Sequence, residues 1–147
     1  MPLEGEYEPS PEQWVRDQVA TYEATDGREA NTLMDTGLPV VIFTTRGRRS
    51  GKLRKMALMK VERDGKYLLV ASKGGAPEHP EWYFNFLAHP EVELQDGSEK
   101  KTYRAELVEG EEREDLWRLS VDTWSTYASY QEKTDRQIPV FKLVPID

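Results

Sequence analysis

The sequence predicts a mainly β, α+β domain in which six antiparallel strands form a small barrel with a few flanking helices. Three observations predict it. Short β-branched runs recur along the chain, glycine-containing turns such as Asp64-Gly65 and Asp96-Gly97 separate several of them, and the amphipathic helical patterns lie outside these runs. Strands joined by tight turns pair antiparallel, whereas parallel strands would need a crossover helix between them.

The N-terminal region predicts a flexible tail followed by a helix. Residues 1–9 are rich in Glu and Pro, and residues 10–147 are long enough for one domain with its own core. Ser10-Pro11-Glu12-Gln13 has the composition of a helix start, with a Ser cap, Pro at the first helical position and Gln three residues after the cap. An apolar stripe then extends to about Ala24 before Thr25-Asp26-Gly27 ends the helix, and its members are Trp14, Val15, Val19 and Tyr22.

The six strands are predicted from β-branched and aromatic content between turn residues. The clearest is Val40 to Thr45, a continuous apolar and β-branched run that predicts a buried strand. The others are predicted at Arg54 to Glu62, Tyr67 to Ser72, Val92 to Leu94, Tyr103 to Val108 and Pro139 to Leu143.

Two further helices are predicted outside the β pattern. A short one runs from Pro80 to about Ala88, after the chain is broken at Gly74-Gly75-Ala76-Pro77. The longest runs from Glu111 to about Tyr130 and is acidic in its first turn, as the helix macrodipole prefers. Its inward-facing residues are predicted to be Leu116, Trp117, Val121 and Trp124.

Composition excludes several classes of function. The chain has no cysteine, which excludes disulfides, thiolate nucleophiles, cysteine-based zinc sites and iron–sulfur clusters. A net charge of −7 argues against general nucleic-acid binding. No apolar stretch approaches the roughly 18 residues of a membrane span, and the N-terminus lacks the features of a secretory signal, so a cytoplasmic location is expected.

The two histidines do not predict a metal site. His79 and His89 both precede proline, which favours helix-boundary roles, and no third ligand has metal-binding spacing around them. No Ser–His–Asp set can be assembled either. If the protein is an enzyme, a bound cofactor is expected to carry the chemistry.

The strongest functional signal is an island of positive charge. Between Arg46 and Lys60 there are seven basic residues and no acidic one, on a chain that is acidic overall. At its centre, residues 46–52 place Gly and Ser between arginines, which suits a backbone that approaches a phosphate or carboxylate ligand. A P-loop is excluded, because the glycine spacing is one residue short and Leu53 stands where Ser or Thr would hold magnesium. The alternative is a solvated basic hairpin, although like charges repel unless something anionic lies among them.

Two aromatic segments and one glycine turn are weaker signals. Ser72-Lys73-Gly74-Gly75 follows a strand and can present N–H groups and a Lys to an anion or a flavin edge. Residues 82–86 are dense in aromatics, for which core packing is the alternative to a cofactor wall. Trp124, Tyr127 and Tyr130 recur at intervals of three with polar residues between them, which is compatible with packing or with a half-open pocket wall.

Several motifs occur together in order: Asn31-Thr32-Leu33, Thr44-Thr45-Arg46-Gly47-Arg48-Arg49-Ser50-Gly51, Ala71-Ser72-Lys73-Gly74-Gly75, Pro80-Glu81-Trp82-Tyr83, Tyr130-Gln131-Glu132-Lys133-Thr134-Asp135-Arg136 and Ile138-Pro139-Val140. This series resembles the deazaflavin-dependent nitroreductase family, from Trp14 to about Pro145. Members are split-β-barrel oxidoreductases of actinobacterial type, with an FMN-binding-like fold, that use coenzyme F420. The resemblance therefore implies a six-stranded split barrel.

The resemblance also implies a set of coenzyme-binding residues. The coenzyme carries a phosphodiester and a polyglutamate tail, expected to be held by Arg48, Arg49, Ser50, Arg54 and Lys55. The deazaflavin is expected to be lined by Met56, Ala57, Leu58 and Met59 together with Val70, Ala71, Ser72 and Lys73. Closure over it is expected from Glu81, Trp82, Tyr83, Phe84 and Asn85, with Tyr127 facing the substrate side.

By this resemblance the protein is an F420H2-dependent reductase that transfers a hydride to a conjugated acceptor, either a quinone, an enone or a nitroaromatic. Tyr127, Tyr130 and Ser72 are the candidates for hydrogen bonding to the acceptor. Two departures separate this chain from family patterns. Ala57 stands where many members have Pro, and Met59 and Trp124 stand where the nitroimidazole-reducing member has tyrosines.

Two other functions remain open at this point. One is an FMN-dependent oxidoreductase of the same fold, for which the arginine cluster is excessive. The other is a non-catalytic carrier of the coenzyme or of a fatty or quinone ligand. The expected partner is a small-molecule acceptor, without nucleic acid or metal, and the protein is expected to be a monomer or homodimer. Peripheral membrane association through the N-terminal helix is the alternative to a purely cytoplasmic location.

Overall fold

The computed structural model describes residues 3–33 and 36–146, so residues 1 and 2 of the predicted tail lie outside it. The helices are α1 (Gln13–Ala24), α2 (Glu81–Ala88), α3 (Gly110–Thr123) and α4 (Thr126–Glu132), with one 3₁₀ turn at Lys73–Gly75. The strands are β1 (Val40–Arg46), β2 (Leu53–Met59), β3 (Val61–Arg63), β4 (Lys66–Val70), β5 (Glu91–Asp96), β6 (Glu99–Leu107) and β7 (Val140–Pro145).

The strands form one curled antiparallel sheet in the order β2-β1-β5-β6-β7-β4-β3. Its two edge strands, β2 and β3, are consecutive in the chain and are separated only by Lys60. The edges of the sheet therefore meet at that residue, and no ladder joins them elsewhere in the described part of the chain. The result is a barrel that is closed at one point and open along the rest of that seam.

The buried run predicted at Val40 to Thr45 is confirmed, because β1 is covered on both faces. Val41 and Phe43 point into the barrel interior, while Val40 and Ile42 lie under α1. Successive side chains of a strand point to opposite faces, so a strand covered on both sides needs apolar residues at every position. This explains a continuous run where a half-exposed strand would alternate.

The core consists of the barrel interior and two layers outside it. Inside, side chains from β1, β4, β5, β6 and β7 pack together with Trp82 and Phe86 of α2. On one outer face α1 packs through its buried residues Val15, Val19 and Tyr22. On another, α3 and α4 pack on β3, β4 and β7. Among the described residues, no helix is long and apolar enough to cross a membrane.

The hairpin signal at Asp64-Gly65 is confirmed. The two residues have φ angles of 55° and 80°, and Arg63 pairs directly with Lys66 across the turn. Positive φ at both central positions is the requirement of the type I′ turn, which matches the twist of the flanking strands.

The predicted strand from Arg54 to Glu62 is wrong as a single element, and the described part of the chain forms a sheet of seven strands instead of six. Lys60 breaks it, since its N–H donates to Pro39 (2.9 Å) and its ammonium group reaches Asp96 Oδ2 (2.8 Å). Both partners are distant in sequence, so tertiary contacts impose the bend.

The long helix predicted from Glu111 to Tyr130 is also wrong as one element. Trp124 has an extended backbone (φ −149°, ψ 102°), which separates α3 from α4. The break lets Trp124 pack edge-on against both Tyr127 and Tyr130 in the outer layer. The four residues predicted to face inward, Leu116, Trp117, Val121 and Trp124, do pack against that layer.

The N-terminal region differs from its prediction in three details. The first helix begins at Gln13 without a side-chain cap, and the Ser10 hydroxyl accepts from the Glu12 N–H instead (3.2 Å). Trp14 is 53% exposed and so lies off the buried stripe. Within the predicted tail, Tyr7 forms a parallel bridge with Leu53 at the β2 edge.

Candidate functional site

A cleft of about 570 Å³ opens between the basic loop (residues 47–52), β2 and the start of α2. Its walls come from four parts of the chain: residues 8–12, the β1–β2 hairpin, the 3₁₀ turn and α2. The lining residues are Glu8, Ser10, Glu12, Phe43, Thr45, Gly47, Arg48, Arg49, Ser50, Arg54, Lys55, Met56, Lys73, Pro80, Glu81, Trp82 and Asn85.

The basic loop is a tight, internally bonded turn. Gly47 N–H donates to Lys52 O (2.8 Å), and Gly51 N–H donates back to Gly47 O (3.0 Å). Arg46 braces it from outside by donating to Gly51 O (2.8 Å). A Cβ on Gly47 would lie 2.9 Å from the Ser50 hydroxyl and 3.3 Å from Lys52 O, so a larger residue there would make the Ser50 side chain move.

Asn85 connects the basic loop to α2. Its Oδ1 accepts the backbone N–H of Arg48 (3.0 Å), and its Nδ2 donates to Thr45 Oγ1 (3.2 Å). The side chain is buried, and a buried amide holds its partners firmly because an unpaired polar group would be unfavourable there. The Arg48 guanidinium lies 4.6 Å from the centre of the Phe84 ring, and this cation–π contact helps to hold it where it lines the cleft.

The floor of the cleft is apolar. Phe43 and Trp82 meet edge to face with ring centres 5.3 Å apart, and half-buried Met56 packs against the same cluster. Aromatic and thioether surface beneath a cationic rim suits a ligand with a flat apolar part and an anionic part.

Carboxylates of the protein lie among the cations, which removes the self-repulsion expected from the sequence. Five basic side chains pair with glutamates: Lys52 with Glu6 (3.5 Å), Arg54 with Glu8 (3.6 Å), Lys55 with Glu23 (2.6 Å), Arg48 with Glu81 (3.6 Å) and Lys73 with Glu78 (3.5 Å). Within residues 3–33 and 36–146, Arg49 has no such ion pair. Its charge is the one most available to a ligand.

The turn that carries Lys73 is strained and held in place by Arg136. Lys73, Gly74 and Gly75 have φ angles of 46°, 63° and 82°, a left-handed turn that a lysine rarely adopts. Arg136 surrounds it with donors to Ser72 O (2.7 Å), Ala76 O (2.9 Å) and Ala71 O (3.2 Å). The arrangement fixes Lys73 at the edge of the cleft.

The match to a family model decides the identity of the chain. The model of the F420H2-dependent quinone reductase family matches residues 14–145. The chain belongs to this family. The F420-dependent reductase family expected from the sequence motifs is therefore confirmed.

Individual members of the F420H2-dependent quinone reductase family and of related structures are similar over most of the chain. An F420H2-dependent quinone reductase of Mycobacterium tuberculosis is 32% identical over 134 residues, which is 89% of each protein. The solved structure of an F420H2-dependent reductase, FDR-A, is 55% identical and covers 71% of this chain and 93% of its own, with a TM-score of 0.68. A structure described as a domain-swapped dimer is 48% identical and covers 91% of this chain and 99% of its own, with a TM-score of 0.70.

The barrel is shared beyond the F420H2-dependent quinone reductases. The heme storage protein HutZ from Vibrio cholerae is 13% identical, covers 74% of this chain and 82% of its own, and has a TM-score of 0.53. At that identity the likeness concerns the fold alone. The split-barrel class expected from the sequence is confirmed.

The cleft of this quinone reductase family member brings together about half of the residues predicted to bind the coenzyme. Those that line it are Arg48, Arg49, Ser50, Arg54, Lys55, Met56, Lys73, Glu81, Trp82 and Asn85. Others lie nearby without lining it: Leu58, Ala71 and Tyr83 in the interior cluster, Ala57 against α1, Ser72 behind Lys73, and Phe84 under Arg48.

The remaining predicted residues lie in the outer layer beneath α3 and α4. Met59, Val70 and Tyr127 are buried there, and Tyr130 packs on them half-buried. Tyr127 is 1% exposed, and burial raises the pKa of its hydroxyl. That hydroxyl therefore stays protonated at neutral pH, and its side chain does not line the cleft.

Several cleft residues were not predicted from the sequence. The sequence places Phe43, Thr45 and Pro80 only in a strand or at a helix start, and it places Glu8, Ser10 and Glu12 only in the tail and the helix start. Phe43 and Thr45 are two residues apart in β1 and therefore share one face of the strand. Their spacing next to the basic loop is the sequence signal that could have placed them in the cleft. Nothing in the local sequence signals that residues 8–12 reach the cleft. In the described part of the chain, no group of three His, Asp or Glu residues could hold a metal ion.

Tyr127→Phe is expected to leave coenzyme affinity and turnover unchanged. The ring packs against Trp124 and Trp117, so removal of a buried hydroxyl that does not reach the cleft should affect packing only, by about 1 kcal/mol or less. Titration, steady-state kinetics and melting temperature check this. A fall in turnover of about 10²-fold would instead place the hydroxyl at the acceptor.

His79→Gln is expected to flatten the loss of stability on acidification. Burial and, to a lesser extent, the neighbouring Arg136 guanidinium lower the pKa of His79. Because a guanidinium only donates, His79 Nδ1 accepts the hydrogen bond from Arg136 Nη1 (3.0 Å) and must be unprotonated to do so. The unfolded chain then binds the proton more readily, so folding stability falls as pH drops below about 6.5. Denaturant midpoints at pH 7.5 and 5.5 measure this.

The matched control for that measurement is His89→Gln at the exposed end of α2. Equal pH dependence in wild type and both variants would contradict the role given to the His79 environment.

Proposed function

We propose that the protein is an F420H2-dependent reductase that transfers a hydride from the reduced deazaflavin coenzyme to a quinone-type acceptor. Membership of the F420H2-dependent quinone reductase family supports it. The observation that carries it in the structure is the cleft, where Arg48, Arg49 and Arg54 stand over an apolar aromatic floor.

The residues present fit that coenzyme. A flat ring with a long anionic chain needs an apolar slot beside several cations, and the cleft offers both within about 570 Å³, a volume typical of cofactor sites. Arg48, Arg49, Ser50 and Arg54 would hold the phosphate and the acidic tail. Phe43, Met56 and Trp82 provide the apolar surface for the ring.

The reduced deazaflavin, when bound, supplies the hydride. The protein's part is to bind, orient and desolvate. The aromatic floor excludes water from one side of the slot, and Asn85 keeps the basic loop at a fixed distance from α2. Charged donors in a site with little water interact strongly with negative charge that develops on an acceptor oxygen. We propose Lys73 as the nearest such donor, because it lines the cleft. The uncharged hydroxyls of Ser72 and Tyr130 do not line it, and their hydrogen bonding to the acceptor stays a prediction.

Titration of the purified protein with oxidised F420 and with FMN tests the coenzyme assignment. We expect micromolar or tighter binding of F420, about −8 kcal/mol, and weaker binding of FMN, which has a single phosphate for the same cluster of arginines. FMN bound as tightly as F420, or released from the protein on denaturation, would instead favour an FMN-dependent oxidoreductase.

Single-turnover mixing distinguishes an enzyme from a carrier. Protein loaded with the reduced coenzyme is mixed with a panel of quinones, enones and nitroaromatics while the loss of reduced deazaflavin absorbance is followed. We expect faster transfer to at least one quinone than in a protein-free control. No acceleration with any member of the panel would leave only the carrier function.

We propose a homodimer as the working assembly, supported by the 48% identical structure described as a domain-swapped dimer. Sedimentation equilibrium across a tenfold concentration range tests it. A constant monomer mass of 17.0 kDa would contradict the proposal.

A further inference from the structure

We infer that the acidic strap, residues 4–8, competes with anionic ligands for the rim of the cleft, so that Glu6 and Glu8 determine which anions the site accepts. In this structure both glutamates form ion pairs with cations of the β1–β2 hairpin, Glu6 with Lys52 and Glu8 with Arg54. An anionic ligand must displace the glutamates to bind those two cations. The inference rests on the proposed function and concerns the selectivity of the same site.

The strap lies as a short extra strand along the β2 edge. Leu53 N–H donates to Glu6 O (2.7 Å), and Glu8 N–H donates to Leu53 O (2.9 Å). Arg46 Nη2 donates to Glu4 O (2.8 Å). These backbone hydrogen bonds therefore hold the strap in one register along β2, beside the cleft.

That register places two carboxylates opposite two cations. Because side chains alternate along a strand, Glu6 and Glu8 project to the same side, where Glu6 lies 3.5 Å from Lys52 and Glu8 lies 3.6 Å from Arg54. Tyr7 projects to the other side, and its ring centre lies 5.0 Å from the Lys55 ammonium. Glu8 also lines the cleft itself.

The strap is held weakly enough to leave. The side chains of both ion pairs are between 36% and 72% exposed, and exposed pairs contribute little because water screens them. Tyr7, the one large apolar side chain of the strap, is 39% exposed, so its ring is only partly covered. A segment with few buried contacts and solvent-accessible backbone bonds opens at low free energy.

Displacement makes the site sensitive to the number of charges on a ligand. A ligand with one anionic group can use Arg49, which has no ion pair within the described residues, and leave the strap in place. A ligand with several anionic groups reaches Lys52 and Arg54 only by exchanging with Glu6 and Glu8. The strap therefore weakens the binding of polyanions more than the binding of a single anionic group, and so it lowers the preference of the site for polyanions.

The double variant Glu6→Gln/Glu8→Gln tests the inference, because glutamine keeps the shape and the backbone bonds while removing both charges. Calorimetry at low salt compares inorganic tripolyphosphate with inorganic phosphate. Tripolyphosphate should bind about tenfold more tightly to the variant than to wild type, the sum expected for two exposed pairs, and phosphate much less so. The charge-matched control is Glu29→Gln/Glu99→Gln, two exposed carboxylates outside the strap that form no ion pair with the described part of the chain.

Amide hydrogen exchange gives a second readout that needs no activity. In wild type, the amides of Leu53 and Glu8 should lose protection when tripolyphosphate or F420 saturates the site, because those N–H groups bond the strap to β2. Unchanged or increased protection, together with equal tripolyphosphate affinity in all variants, would overturn the inference and make the strap a fixed wall.

The outcomes separate this inference from the proposed function. Tripolyphosphate binding that tightens in Glu6→Gln/Glu8→Gln while F420 fails to bind wild type would support the strap and refute the coenzyme. Tight F420 binding that is equal in wild type and the double variant, with no change in the protection of the Leu53 and Glu8 amides, would support the coenzyme and refute the strap.

Discussion

Gly75→Ala is expected to destabilise the folded protein by about 3 kcal/mol. Gly75 has a φ of +82°, and a Cβ there would lie 2.6 Å from Tyr130 O and 3.0 Å from Lys133 Cβ. The left-handed conformation alone costs about 1–2 kcal/mol in a residue with a side chain, and overpacking against the backbone of α4 adds about 1–3 kcal/mol. The free energy of unfolding from denaturant titration measures the loss.

The neighbouring glycine provides the control for Gly75→Ala. Gly74 has a φ of +63°, but a Cβ there meets nothing within 4 Å, so Gly74→Ala should show only the conformational part, about 1 kcal/mol. Equal losses in the two variants would mean that α4 moves away freely, which would contradict the tight contact between α4 and the turn that carries Lys73.

Arg49→Ala is expected to weaken coenzyme binding by about 3 kcal/mol, roughly 150-fold, which is the upper end for loss of one charge-assisted hydrogen bond. Arg48→Ala and Arg54→Ala should lose less, about 1–2 kcal/mol, because each of these arginines already pairs with Glu81 or Glu8 in the free protein. Fluorescence titration with F420 at two salt concentrations measures all three.

The arginine series has two controls, which are the melting temperatures of the three variants and a fourth variant that removes a distant charge. The side chains of Arg48 and Arg54 are about one-third exposed, so the melting temperature should hardly change in any of the three variants. Arg63→Ala, on the exposed end of β3, removes a charge without affecting the cleft. Affinity and stability that fall together would indicate that the cluster is a structural ion-pair network.

The elements that the sequence predicts well are those determined by neighbouring residues. The Asp64-Gly65 hairpin needs only two residues that tolerate positive φ, and β1 needs only a continuous apolar run. The breaks at Lys60 and Trp124 could not be predicted, because each depends on partners that the fold brings together. Lys60 is bent by Pro39 and Asp96, and Trp124 turns so that its ring packs on α4.

The candidate site divides in the same way. All of its cations except Lys73 lie within residues 48–55, so the basic loop and its preference for an anionic ligand were predictable. The glutamates that pair with those cations come from the strap, α1, α2 and the turn before α2, and only the folded chain reveals them. The sequence therefore indicated the charge of the site but not how much of it the protein already neutralises.

The position of β7 in the sheet constrains how this protein can fold. β7 pairs with β6 on one side and β4 on the other, and Leu69 reaches Phe141 across most of the second half of the chain. Contacts so distant in sequence form slowly, because the intervening chain must be ordered first. During synthesis, the edges of β4 and β6 that pair with β7 in the folded protein stay unpaired until β7 leaves the ribosome. Aggregation is favoured by unpaired edges, so expression at lower temperature should raise the yield of folded protein.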